Sequence, residues 1–194
     1  MRLQRIANPK GPISTGPFSA KERADVVIVN NRIYRHKVVR INYTTYDMRR
    51  AQDSLNPRTQ GNIMVLANEP DNGTENSTTG TTAHPFWYAR VIGVFHANVR
   101  RSAEVQHDRM DFLWVRWLRR DDTFRAGFSA RRLHRVAFDD EREPGAFGFV
   151  NPADVIRGVH VIPAFAHGRR EGVSTMSLTN PTLSPDWNYY YINM

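Results

Sequence analysis

A chain of 194 residues with 40% hydrophobic side chains, 11% aromatic side chains and a net charge of +8 fits one domain with an extension and has enough apolar matter for a core. The absence of cysteine excludes disulfides, thiol nucleophiles and thiolate zinc sites, so the interior of the cell is the expected compartment. No run approaches the roughly 20 apolar residues that cross a bilayer, the first residues lack a signal-peptide core, and the sequons at Asn42, Asn72 and Asn76 are read as chance. Three of the 27 cations are lysine (Lys10, Lys21 and Lys37), which leaves 24 arginines. Two readings of that bias stay open: a polyanionic partner bound by planar guanidinium forks, or a GC-rich genome that favours arginine codons.

In chain order, residues 1–24 mix Pro9, Pro12, Pro17, Gly11 and Gly16 with serine and charge, the composition of a flexible lead-in. An extension over 25–60 follows. Val26–Val29 and Ile33–Tyr43 are rich enough in Val, Ile and Tyr to predict two strands, with Asn30-Asn31 as the tight turn between them because asparagine tolerates positive φ. Thr44 to Leu55, with Asp47 three residues after the threonine, predicts a short helix anchored by Tyr46, Met48 and Leu55 and stopped before Pro57.

The main domain is expected over 61–194. Ile63–Ala67 predicts a strand and the polar stretch 68–84 a long surface loop. Phe86–Phe95 and Phe112–Asp122 predict two long antiparallel strands, the second alternating Trp114, Arg116 and Leu118 against Val115, Trp117 and Arg119. Asn151–Ile156 predicts a turn, Arg157–Phe165 a strand in which Gly158 marks a bulge, and Asp186–Met194 an aromatic closing strand. The chain stops in or just after that strand, as expected of a piece of something longer.

Catalytic chemistry has no address here. His107, Asp108 and Asp111 form the one acid–imidazole cluster, and Arg109 within it points to surface ion pairs rather than a two-metal site. The seven histidines never fall four residues apart, and no nucleophile elbow or phosphate-cradling glycine run occurs. No metal, cofactor or membrane is expected.

The order Ile63–Leu66, Trp87–Phe95 and Leu113–Asp121, then Asn151–Val161 and Tyr189–Tyr191, resembles the bromo-adjacent homology family. The strings Arg131–Arg135 and Ile156–Arg169 are also similar to segments of uncharacterised proteins of mushroom-forming fungi, often attached to transposon-derived genes. The first resemblance implies a mainly β fold, a small distorted, partly closed barrel, that recognises proteins on chromatin and in some members encloses methyl-lysine in an aromatic cage. Its candidate rings here are Trp87, Tyr88, Trp117 and Tyr190, although on alternating strands about half of such rings point into the core.

The pairs Arg100-Arg101, Arg119-Arg120, Arg131-Arg132 and Arg169-Arg170 are candidate phosphate contacts, which would bind nucleic acid without reading sequence. Local ion pairing with Asp121, Asp122 and the acidic run Asp139 to Glu143 is their other reading. The expectation is thus a non-catalytic, nuclear module of a transposon-derived protein that binds a chromatin protein such as a histone tail. Its alternatives are a barrel that binds nucleic acid through paired arginines and an accessory domain packed against the rest of a larger protein.

Overall fold

The protein is described by a computed structural model over residues 19–67, 85–170 and 186–193. The expected lead-in before Ser19, the loop 68–84 and most of the polar stretch before Asp186 lie outside these residues. A one-turn helix α1 (Ala20–Ala24) precedes strands β1 (Val26–His36), β2 (Val39–Thr44), β3 (Arg50–Leu55) and β4 (Asn62–Leu66). Then come β5 (Phe86–Arg101), β6 (Asp108–Arg120), β7 (His134–Phe138), β8 (Phe147–Val150), β9 (Val155–Gly158), β10 (His160–Pro163) and β11 (Tyr190–Asn193). Helix α1 forms because Ser19 caps it reciprocally: its hydroxyl accepts from the Glu22 N–H at 3.2 Å and its own N–H donates to the Glu22 carboxylate at 2.8 Å. Among the described residues no helix is long and apolar enough to cross a membrane.

The mainly β expectation holds. Strands β5 and β6 pair antiparallel from Tyr88↔Leu118 to Val99↔Asp108, as their aromatic and β-branched content predicts. Around them the hydrogen-bonded order is β10-β11-β7-β6-β5-β4-β9, with β1 also on β5, β8 also on β6, and β2–β3 a separate hairpin. The free edge of β5 is taken first by β4, along Phe86 to Arg90, and then by β1, along Val94 to Arg101. The ladder does not close into a cylinder. Its two ends, β9 and β10, are nevertheless consecutive in the chain, separated by Val159 alone, whose N–H donates to the Asn62 carbonyl at 3.0 Å.

Five local expectations are corrected. The predicted helix over Thr44–Leu55 is a turn followed by β3, because cross-strand pairing with β2 from Val39↔Leu55 to Thr44↔Arg50 overrides the helical propensity of the segment. Of its supposed anchors Leu55 is fully buried, whereas Tyr46 and Met48 stand in solvent. Asn30 and Asn31 do take positive φ, 58° and 50°, but they bulge one continuous strand rather than join two: Ile28 faces Val99 and Ile33 faces Ala97. The predicted strand Ile33–Tyr43 is split between β1 and β2, and Arg157–Phe165 is split at Val159. Gly158 sits in register opposite Ile63, and the bulge of β9 falls at Ile156, between the partners of Met64 and Val65.

The β5–β6 register also shifts between Val91 and Gly93, so Ile92 is an extra residue and the positions of β5 that share a face change parity. One face therefore runs through Ala89, Val91 and Val94 and packs with Leu113, Val115 and Ile63 beneath Ile41 and Leu55 of the β2–β3 hairpin. The opposite face carries Tyr88, Leu118 and Met64 against Phe138, Tyr190 and Ile192, and Ala97, Val99 and Met110 form a third cluster further along the hairpin. Just past the shift Gly93 is required by space: a Cβ there would lie 2.3 Å from the ring of Phe95, which folds back over it.

The second of these faces holds a charge cluster. Arg116, 7% exposed, donates to the Asp186 carboxylate at 2.7 Å and the Asp139 carbonyl at 3.2 Å, and lies 3.1 Å from the Glu141 carboxylate. Its guanidinium and that of Arg90 each lie 4.5 Å from the centre of the Phe138 ring, and the Tyr190 hydroxyl donates to the other Asp186 oxygen at 3.2 Å. A buried guanidinium that loses a carboxylate keeps the cost of its lost hydration, so Asp186→Ala is expected to cost about 3 kcal/mol. Urea unfolding checks this: the midpoint should drop at an unchanged m-value.

Candidate functional site

A groove of about 450 Å³ is lined by Trp87 and Trp117 from the first half of the β5–β6 pair and by Ile33, Met110 and Phe112 from its second half and β1. Its size and apolar walls are those of a pre-formed ligand site. The two indoles meet edge to face, their centroids 5.7 Å apart and their planes at 80°, a favoured aromatic geometry. Trp117 is held at its backbone, whose N–H donates to the Ala146 carbonyl at 2.9 Å, and its indole lies where a Cβ on Gly148 would come within 2.6 Å. Trp87 is 49% exposed and presents its ring to solvent.

The polar groups of the groove are Asp111, Asn151 and Asp154. Asn151 caps the 3₁₀ turn Pro152–Asp154 by accepting from the Ala153 N–H at 3.2 Å, and Asp111 is held by Arg109 at 3.0 Å, the ion pair expected from sequence. The Asp154 carboxylate is exposed and has no partner among the described residues. Met110, Phe112 and Asp154 were missed as site residues because only the register of the hairpin and the turn after β8 bring them to the tryptophans.

The four-ring cage read from the sequence does not assemble. Trp87 and Trp117 share one face, whereas Tyr88 and Tyr190 belong to the other and are 1% and 4% exposed. Adjacent strand residues point to opposite faces, so Trp87 and Tyr88 cannot line one cage. Burial pushes the Tyr88 phenol up to about 12 against the opposing effect of Arg120. Burial also raises Tyr190, whose hydroxyl is engaged by Asp186 and by the Trp187 N–H.

The arginine pairs separate as well. Arg100 donates to the carbonyls of Arg101, Ser102 and Glu104 and so closes the β5–β6 turn. Arg101 lies 4.0 Å from Asp25, Arg119 3.0 Å from Asp139 and Arg120 2.7 Å from Asp122, and Arg170 donates to the Phe138 carbonyl at 3.1 Å. Arg131, Arg132 and Arg169 are exposed and face no carboxylate within 4 Å among the described residues. Arg169 lies over Trp187 at 4.8 Å and Arg132 toward Phe124 at 5.9 Å.

Among the described residues no group of three or more His, Asp or Glu is arranged to hold a metal ion. Comparison of the chain with models of known families, with curated proteins and with solved structures finds no match.

One titratable cluster lies where β1 pairs with β5, Tyr34 facing His96 in register. His96 stacks on Tyr34 at 4.7 Å and on His36 at 4.8 Å, and the His36 Nε2 and His96 Nδ1 atoms are 2.6 Å apart, a contact that admits one proton between them. Desolvation, then Arg109 and His36, hold His96 below its usual 6.5, with Asp111 opposing. The folded chain thus binds fewer protons than the unfolded one just below pH 6.5, so the contribution of His96 to stability is complete above that pH and falls as the solution is acidified. Thermal unfolding should show a Tm that declines below pH 6.5, and His96→Gln should flatten the decline; an equal decline in that variant would remove His96 as its source.

Proposed function

We propose that the protein is a non-catalytic recognition module whose groove takes a cation-tipped side chain with an apolar stem from an extended protein segment, the chemistry of a methylated lysine in a histone tail. The observation that carries this reading is a half-exposed Trp87 standing edge-on to Trp117 in an apolar groove that also contains the unpaired Asp154 carboxylate. An indole face attracts a poorly hydrated cation, and a carboxylate at the rim complements its charge. Within this reading the sheet is a distorted, partly closed barrel of the bromo-adjacent homology kind, its gap bridged by the chain at Val159. The module then belongs to a transposon-derived nuclear protein that acts on chromatin or on its own nucleoprotein complex.

The test is fluorescence polarisation with histone-tail peptides carrying each lysine unmodified or trimethylated. A trimethylated peptide should bind better than its unmodified form, and Trp87→Ala should weaken that binding by about tenfold, within the 0.5–2 kcal/mol of a well-placed ring. No preference for methylation, or an unchanged affinity in Trp87→Ala, overturns the reading.

A further inference from the structure

On the β7–β11 side of the sheet, aromatic rings and guanidinium groups contact one another in two groups joined by one 3₁₀ turn. Arg135 lies 4.2 Å from the centre of the Phe124 ring and 4.5 Å from that of Tyr189, held there by Asp121 at 2.9 Å and 2.7 Å. The first group continues through His167, 3.2 Å from Arg135 and edge-on to Tyr189 at 5.2 Å. The 3₁₀ turn Phe165–His167 then sets Phe165 edge-on to Trp187 at 4.9 Å, and Arg169 covers that indole at 4.8 Å. Phe165 is 67% exposed, and Phe128 wholly so, in the loop that returns through the Gly127↔Arg132 bridge.

Among the described residues the unpaired charge on this surface is cationic, the exposed Asp122 being paired with Arg120. Arg125, Arg131, Arg132 and Arg169 are exposed and without a carboxylate partner among the described residues. Asp121 is occupied: burial pushes its carboxyl up, but hydrogen bonds from Thr123 and Arg135 outweigh that and hold it below its usual value. Asp186 is taken by Arg116 and Tyr190. Exposed rings beside uncompensated guanidinium groups offer stacking for bases and charge for phosphates, the two components of single-strand binding.

We infer that this face binds single-stranded nucleic acid by stacking bases on the exposed Phe165 ring and pairing phosphates with Arg132 and Arg169, which lie over the half-buried rings of Phe124 and Trp187. A duplex offers the phosphates but keeps its bases stacked inside, so the rings would add nothing to its binding. The site is separate from the Trp87–Trp117 groove and does not rest on the function proposed for it.

Fluorescence anisotropy of labelled oligo-dT against the matching duplex tests the inference on the whole chain. The single strand should bind more tightly than the duplex at low salt. Phe165→Ala should weaken it about tenfold with little change in salt dependence, as loss of one stacking partner does. Arg132→Gln with Arg169→Gln should flatten the log-affinity against log-salt slope by about 1.4, since each phosphate contact on a single strand contributes about 0.7. Arg58→Gln, in the exposed β3–β4 turn, removes one charge elsewhere and should leave the slope unchanged. Duplex binding as tight as single-strand binding, an unchanged affinity in Phe165→Ala, or a slope that Arg58→Gln alters as much as the face variants overturns the inference.

Discussion

The sheet hangs on the pairing of β5 with β6, and that ladder carries one extra residue. Strands β1, β4, β7 and β8 all hydrogen-bond directly to one member of this pair. Without the shift at Ile92, every odd position of β5 would share a face, and Ala89, Val91 and Phe95 would compete for the same core. With it, Val94 follows Val91 into the core beneath the β2–β3 hairpin, while Phe95 stacks on Phe112 at 5.6 Å. One inserted residue thus allows a single hairpin to serve two apolar clusters, and it brings the second half of the hairpin into the same groove as Trp87 and Trp117.

The strand that bears the proposed nucleic-acid face is attached through its opposite side. Along the segment from Asp186, the residues Asp186, Tyr190 and Ile192 turn toward Arg116 and the core, Tyr189 and Tyr191 meet His167 and Phe124, and Trp187 packs on the core while meeting Phe165. A buried ion pair is weak evidence of net stabilisation, because desolvation offsets most of its attraction. Its geometric demand is strong, however: Asp186 meets both Arg90 and Arg116, two residues on neighbouring strands, only in this register. The charge cluster therefore fixes where the outer rings stand.

Much of this was legible in the residues. The β5–β6 strands follow from their aromatic and β-branched content, and the alternation of Trp114, Arg116 and Leu118 against Val115 and Trp117 is the alternation of the folded strand. The helix expected over Thr44–Leu55 failed because Ala51, Gln52 and Leu55 favour helices, while the inward set Ala51, Asp53 and Leu55 needed a partner strand to become visible. That Trp87 and Tyr88 could not share a cage was decidable from adjacency alone, since neighbours in a strand point to opposite faces, whereas the sides taken by Trp117 and Tyr190 depend on strand pairing. The bulge at Ile92, the bend at Val159 and the ring–guanidinium contacts were not legible, because each is defined by which distant strand lies alongside.

The two proposed sites are joined by β6 and its continuation. Trp117 lines the groove, and Asp121, just past the end of the strand, clamps Arg135 beneath Phe124. With Arg119 between them, these positions alternate along one side of the chain, and the step from Trp117 to Asp121 is about 13 Å at the rise of an extended strand. A protein segment in the groove and a nucleic-acid strand on the aromatic face would therefore bind at neighbouring places on one rigid element, with Arg119 tied to Asp139 between them. That arrangement suits a module that meets both components of one nucleoprotein particle, and it explains how a basic chain can direct most of its paired arginines to its own carboxylates and carbonyls and still offer a localised cationic surface.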